Sequence, residues 1–228
     1  MQVAWRRIIE DVNRTAEGYL LAASGGVDSM FMADFFLRNC RVPFRMAYFD
    51  HGLRESSGED GALVREWCIP HGIPFVLGRG DPDAMRLAPS LEAEARRQRY
   101  GFLEAALLPC ELLVTAHHAN DQVETVIMRL MRGVPEGSLR MKRLSGRRFR
   151  PFLSVPKSEI LRRASERGLG WVEDLSNDDL RHERNWVRHV LIPQMMERRN
   201  ILRTIGSQQL DGAGCARPVD GETSPTNC

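Results

Sequence analysis

No run of apolar residues in this sequence approaches the roughly 20 needed to cross a bilayer as a helix, so no such helix is expected. Met1 to Arg14 carries Arg6, Arg7, Glu10 and Asp11 and lacks the apolar centre of a signal peptide. Cysteines are few and odd in number: Cys40, Cys68, Cys110, Cys215 and Cys228. None forms a CxxC pair, which argues against a zinc knuckle or an iron–sulfur cluster, and their wide spacing fits reduced thiols better than a disulfide frame. The expectation is a cytoplasmic protein with no membrane partner. Internal repeats are absent. So are two common phosphate signatures, GxxxxGK with a following Ser or Thr, and GxGxxG.

What is present is the composition of a globular protein. The 228 residues are 43% hydrophobic and 27% charged, enough for one sizeable domain or a domain with a small annex. The net charge of +2 hides an asymmetry. Arg129 to Ile205 holds 18 basic and 9 acidic residues, and the remainder 14 and 21. Arg140, Lys142, Arg143, Arg147, Arg148 and Arg150 lie close together with no acid among them. Such a stretch is a footprint for a polyanion such as RNA, or else a solvated arginine-rich loop; charge alone does not choose.

Apolar runs alternate with amphipathic stretches. Tyr19 to Ala23 predicts a buried strand, followed by a Gly-Gly turn and a helix from Asp28 to Arg38. Further strands are predicted at Phe44 to Phe49, Phe75 to Leu77 and Leu112 to Thr115. Helices are predicted at Gly61 to His71, from Ser90 as N-cap through Leu107, and at Asn120 to Met131. The β-α alternation predicts an α/β fold, a Rossmann-like parallel sheet with helices on both faces and ligands at the carboxyl ends of the strands. After Gly133 a loop-like stretch runs to Arg150. A helix from Pro156 to Arg167 follows, then a helical region from Glu183 to Ile201 interrupted near Pro193. From Gly206 to Cys228 apolar residues nearly vanish, and this tail is expected to be disordered. The catalytic domain is placed at 1–205, with 145–205 as its helical portion.

The loop Ser24-Gly25-Gly26-Val27-Asp28-Ser29 joins a strand to a helix. Two glycines let backbone approach an anion, successive N–H groups can cradle it, and the helix start adds positive potential. Ser24 and Ser29 can donate hydroxyls to phosphate. Asp28 suits such a place if it faces a Mg²⁺ ion that phosphates bring. The plainer reading is a strand–turn–helix junction with ordinary caps.

This S-G-G-V-D-S loop resembles the pyrophosphate loop of the ATP pyrophosphatases, which implies cleavage of ATP between its α and β phosphates. Four further stretches narrow the likeness. They are Tyr48-Phe49-Asp50-His51-Gly52-Leu53-Arg54, Leu91 to Tyr100, Thr115 to Thr125, and Trp171 to Asn177 with Arg184-Asn185 downstream. In order and spacing, from Tyr19 to Pro193, the set resembles the tRNA(Ile)-lysidine synthases. That resemblance implies a ligase forming a carbon–nitrogen bond. ATP adenylates carbon 2 of the wobble cytidine in the minor isoleucine tRNA with a CAU anticodon. Free L-lysine then attacks through its ε-amine and AMP leaves.

The site residues follow from the resemblance. Ser24 to Ser29 and Arg96 bind ATP, with Asp28 also at the metal. Asp28, Arg96, Asp121 and Glu124 form the catalytic set. Asp121, Glu124, Asp174 and Arg184 hold the lysine. The residues are also reasonable on chemistry alone. Asp121, Glu124 and Thr125 share a helix face, where two carboxylates could hold an ammonium or take its proton. Arg96 and Arg99, one helical turn apart, suit a triphosphate or helix-surface salt bridges. His117 and His118 follow a strand end but have no metal-ligand spacing. The basic residues Arg140, Lys142, Arg143, Arg147, Arg148 and Arg150, with Lys157, become a candidate tRNA surface.

Two departures from the family stand out. Asn120-Asp121 replaces a frequent pair of aspartates, and the family's C-terminal domains are not expected in this chain. Two rivals remain: a tRNA thiolase of the same superfamily, against which the missing CxxC pairs count, and a catalytically weak nucleotide- or RNA-binding module. A homodimer is left open.

Overall fold

The computed structural model describes residues 3–53, 57–173 and 182–202. Its centre is a sheet of six strands: β1 (Gly18–Ala23), β2 (Phe44–Asp50), β3 (Phe75–Arg79), β4 (Glu111–Val114), β5 (Leu144–Ser145) and β6 (Arg148–Phe149). Their order is β3-β2-β1-β4-β6-β5, parallel throughout except that β5 runs antiparallel to β6. The nine α-helices among the described residues are α1 (Trp5–Val12), α2 (Val27–Asn39), α3 (Ser57–Cys68), α4 (Pro82–Leu87), α5 (Leu91–Ala105), α6 (Ala119–Met131), α7 (Lys157–Glu166), α8 (Glu183–Trp186) and α9 (Ile192–Arg198).

The central strand β1 reads Gly-Tyr-Leu-Leu-Ala-Ala, an unbroken run as expected where both faces are covered. Its side chains alternate between two cores. Leu21 lies in register with Met46 and Val114, and these pack with Met30, Phe31 and Phe36 of α2 and with Phe152. Leu20, Ala47 and Leu113 point the other way, against Tyr100 and Leu103 of α5. That helix approaches β3 closely: a Cβ on Gly78 would lie 2.6 Å from the Phe102 ring. A third cluster joins Val123 and Ile127 of α6 to Val187 and Ile192. The expected parallel α/β sheet with covering helices is therefore present.

The expected strands and helices all appear, with ends shifted by a few residues. Ser90 caps α5, its hydroxyl accepting the Ala93 N–H at 3.3 Å. Gly168, at φ +61°, ends α7 as anticipated. Three features differ. The stretch read as a loop before Arg150 contains β5 and β6, two-residue strands too short to leave a periodic pattern. Helices α1 and α4 were not anticipated, although Ile8 and Val12 give α1 a one-turn apolar spacing. The interruption near Pro193 is a π-helical segment at Val187–Leu191, with Pro193 in the first turn of α9. Proline lacks an N–H, so the widened turn is where the ladder absorbs its loss. Arg54, Asp174, Ser176, Asn177 and the tail 206–228 lie outside the described residues. Among the described residues no helix is long and apolar enough to cross a membrane.

Candidate functional site

The phosphate loop sits at the carboxyl end of β1, in the middle of the sheet. Gly25 takes φ +79°, and a Cβ there would lie 3.4 Å from the Asp60 carbonyl oxygen, so this turn requires glycine. Ser29 shapes the loop from within: its Oγ accepts the Ser24 N–H at 3.1 Å and donates to the Gly26 carbonyl at 2.9 Å. The Ser24 hydroxyl lies 3.4 Å from the Ser29 hydroxyl. Helix α2 starts at Val27, and its first-turn amides need acceptors from outside the helix. From far along the chain, the Val172 N–H donates to the Gly25 carbonyl at 3.0 Å. The Trp171-Val172-Glu173 segment thereby fastens the loop.

A cleft of about 180 Å³ opens over the loop. Ser24, Asp28, Ser29, Arg99, His117 and Asp121 give it a polar side. Ala22, Ala47, Phe49 and Leu103 give it an apolar side, suited to a flat ring. Arg96 does not line the cleft. It is exposed on α5, its guanidinium 4.7 Å from the Tyr100 ring centre. Arg99, one turn on, reaches the cleft, and burial lowers its pKa.

Asp28 is engaged by a residue that sequence reasoning had placed with the RNA-facing basic stretch. Both its carboxylate oxygens lie 2.6 Å from Lys157 Nζ, the first residue of α7. Sequence held one signal for this, a lysine in the first turn of a helix, where a cation is unfavourable unless a carboxylate faces it. His118 Nε2 lies 3.7 Å from Asp28 as well. The chemistry of this donor set fits Mg²⁺ only as phosphates bring it, with one carboxylate completing the shell. Among the described residues no three His, Cys, Asp or Glu side chains gather into a metal cage.

Beside the cleft, Asp121 and His118 form a capping box at the start of α6. The His118 N–H donates to Asp121 at 2.9 Å, and His118 Nδ1 accepts the Asp121 N–H at 3.3 Å. Arg184 donates to Glu124 at 2.7 Å and to Asp121 at 3.2 Å. Arg188, which sequence reasoning missed, donates to both Glu124 oxygens at 2.7 and 3.1 Å. Its signal was the i, i+4 spacing from Arg184. Two carboxylates and two guanidiniums thus balance each other, with Glu124 only 1% exposed. Burial pulls the Asp121 carboxyl up, but His118, His117 and Arg184 outweigh it and hold the pKa below its usual value. Such a carboxylate serves better as a counter-ion than as a proton acceptor. His117 bonds the Thr115 hydroxyl through Nδ1 at 2.7 Å. Burial, reinforced by Arg150, Arg184 and Arg96 against Asp121, lowers it to about 4, so it is neutral at pH 7.

The basic stretch is folded around the β5–β6 hairpin. Arg143 pairs with Asp11, and Arg148 pairs with Glu104 and stacks 4.4 Å from the Tyr100 ring. Arg147 donates to the Glu111 carbonyl at 3.0 Å yet remains exposed, as does Lys142. Arg140 is half-buried. Arg150 is only 8% exposed and donates to the Lys142 carbonyl at 2.9 Å. The stretch therefore divides into outward cations and structural ones.

A family model described as a PP-loop domain matches residues 1–195. A tRNA(Ile)-lysidine synthase of Haemophilus ducreyi is 36% identical over 184 residues, covering 78% of this chain and 42% of that protein. One from Chlamydia pneumoniae is 36% identical over 194 residues, covering 78% and 58%. One from Alkalilimnicola ehrlichii is 34% identical over 225 residues, covering 91% and 49%. The chain spans about half the length of the curated relatives it matches. Among solved structures, a U34-tRNA thiolase of Methanococcus maripaludis, with its [4Fe-4S] cluster, superposes with a TM-score of 0.63 at 17% identity, covering 94% of this chain and 84% of that one. An NMN synthetase of Francisella tularensis gives 0.54 at 12%, covering 94% and 97%. At these identities the structural likeness concerns the fold alone.

Proposed function

The chain belongs to the PP-loop domain family, and on that premise we propose that it binds ATP over the Ser24–Ser29 loop and acts as a tRNA(Ile)-lysidine synthase. ATP adenylates carbon 2 of the wobble cytidine in the minor isoleucine tRNA and pyrophosphate leaves; the ε-amine of free L-lysine then displaces AMP. The observation that carries this reading is convergence. The phosphate loop and the Thr115–Thr125 motif line one cleft, and the Trp171–Glu173 segment is bonded to that loop through Val172, although more than half the chain separates the loop from it. The named relatives at 34–36% identity support lysine transfer to tRNA over other uses of the same fold.

The roles are divided by chemistry. Helix α2's start, with Ser24 and Ser29, receives the phosphates. The apolar side of the cleft takes the adenine. Mg²⁺ carried by the triphosphate would meet Asp28 and would neutralise charge on the phosphates. Asp121 and Glu124 with Arg184 and Arg188 form the lysine side. Free lysine brings one carboxylate and two ammonium groups, one positive charge more than this balanced cluster can pair, and the balance is restored when the ε-ammonium gives up the proton that its attack requires it to lose. Lys142 and Arg147, both exposed, meet RNA phosphates.

A thiolase reading would need sulfur-relay cysteines at the cleft. Cys40 lies at the end of α2 remote from the loop, and Cys68 is buried against Met46, their sulfurs 3.6 Å apart. The test is incubation of the chain with ATP, labelled lysine and minor isoleucine tRNA. Lysine-dependent release of AMP and pyrophosphate, with label in the RNA, is expected. Binding of ATP and tRNA without turnover would replace this reading with that of a binding module.

A further inference from the structure

The phosphate loop itself contains no cation, unlike the GxxxxGK loops that carry their own lysine. A lysine is nevertheless present, delivered by another element. Lys157, at the start of α7, holds its ammonium 2.6 Å from both oxygens of Asp28, 129 residues away in sequence. The pair is about one-third exposed, 30% for Lys157 and 32% for Asp28, so it lies at the cleft's margin rather than sealed beneath it. Asp28 lines the cleft. The backbone behind the lysine is fixed. Its N–H donates to Asn120 Oδ1 at 3.0 Å, and Ile160 and Ala164 anchor α7 in the core.

The choice of residue matters. The chain has 32 basic residues, of which only Lys142 and Lys157 are lysines. Arginine's planar fork would suit a fixed bidentate pair with a carboxylate. An ammonium on a flexible stem is less committed, and its three donors can be redirected to a new anion without rebuilding the backbone. A triphosphate entering over the N-terminus of α2 would bring several negative charges to this spot, against the single charge of Asp28.

We infer that Lys157 is the phosphate-binding lysine of this loop, held by Asp28 in the free protein and handed to the β- and γ-phosphate oxygens of the nucleotide. Resting on the ATP reading above, this assignment adds a ligand that the loop motif does not contain. The transfer also frees the Asp28 carboxylate for the cation that accompanies the phosphates. No bond is made or broken in the step; one ion pair replaces another.

The test uses the full chain with α,β-methylene-ATP, inorganic pyrophosphate and AMP as probes. Binding is read by calorimetry, and lysine side chains are read by ¹³C NMR of protein labelled only at lysine. Two lysines give two sets of signals, assigned with Lys142→Arg. The expected result is that pyrophosphate shifts the Lys157 signal and leaves Lys142 in place. Lys157→Met should weaken binding of pyrophosphate and of the ATP analogue on the order of 10- to 100-fold, as for loss of a charge-assisted hydrogen bond. AMP affinity should change little. Adding Asp28→Asn should not restore the loss. The inference is overturned if pyrophosphate binds and the Lys157 signal stays still. It is also overturned if the Asp28→Asn, Lys157→Met double variant regains wild-type affinity, since Lys157 would then only neutralise Asp28. The NMR arm needs no variant at Lys157 and survives one that misfolds. Absence of analogue and pyrophosphate binding by the wild type would instead remove the ATP reading, and this inference with it.

Discussion

The side-chain oxygen of Asn120 accepts the backbone N–H of Lys157 at 3.0 Å, tying the first turn of α6 to the first turn of α7. It is a helix cap supplied across 37 residues of sequence, and it gives the asparagine at this position a structural task. An aspartate could accept the same bond, so the departure from the family pattern leaves this joint intact. Asn120→Ala should lower unfolding stability by about 1 kcal/mol, as cap removal usually does. Asn120→Asp should stay within about 0.5 kcal/mol of wild type, because a carboxylate beside a helix start is favourable. Urea unfolding followed by circular dichroism checks both; equal losses in the two variants would refute the capping role.

The pairing of Glu124 with Arg184 and Arg188 predicts strong coupling. Glu124→Gln keeps the shape and removes the buried charge, leaving two guanidiniums with Asp121 as their one remaining carboxylate partner. A loss of about 3 kcal/mol is expected, in the range for breaking a buried pair. Arg184→Met in that background should cost less than it does alone, by more than about 0.5 kcal/mol. A double-mutant cycle in urea measures this, and additive losses would show that the contacts are not energetically joined.

His117 sets a pH dependence whose sign is fixed. Its native pKa, about 4, lies below its ordinary value of 6.5. Between those values the unfolded chain binds a proton that the native state refuses, so stability rises with pH across the window and falls as pH drops from 6.5 toward 4. Asp121, also lowered, adds its own loss only below the ordinary carboxylate range. His117→Gln should flatten the slope between pH 4 and 6.5. Thermal melts across that interval decide it, and an unchanged slope would contradict the assignment.

The two kinds of cation near the β5–β6 hairpin should separate experimentally. Neutralising Lys142 should weaken tRNA binding and lower its salt slope by about one unit, with the melting temperature little changed. Arg150→Gln should instead lower the melting temperature, because Arg150 is buried and bonded to the Lys142 carbonyl. Filter binding at several salt concentrations, beside melts, distinguishes them.

The sequence was most informative where periodicity and chemistry coincide. Tyr19 to Ala23 is apolar on both faces because β1 is central, and the Gly-Gly turn after it marks a site that only glycine backbone can form. Asp121 and Glu124 could be placed on one face by spacing alone. Their arginines could not be paired with them, since α8 and its π-helical continuation return to α6 only in three dimensions. Arg96 and Arg99 differ in outcome for a related reason: one turn of helix puts one guanidinium in the cleft and leaves the other on the surface. Lys157 was hidden because its partner is 129 residues away, and strands β5 and β6 because two residues carry no period.

The bond from Val172 to the Gly25 carbonyl also bears on the order in which this domain is made. A ribosome finishes β1 to β4 and α6 before it reaches Val172, and a domain folds as a unit once its segments are made. Until then Gly25 lacks this donor and Asp28 lacks Lys157. The grip on the nucleotide is therefore completed only when the segment from Lys157 to Val172 has been made and has docked.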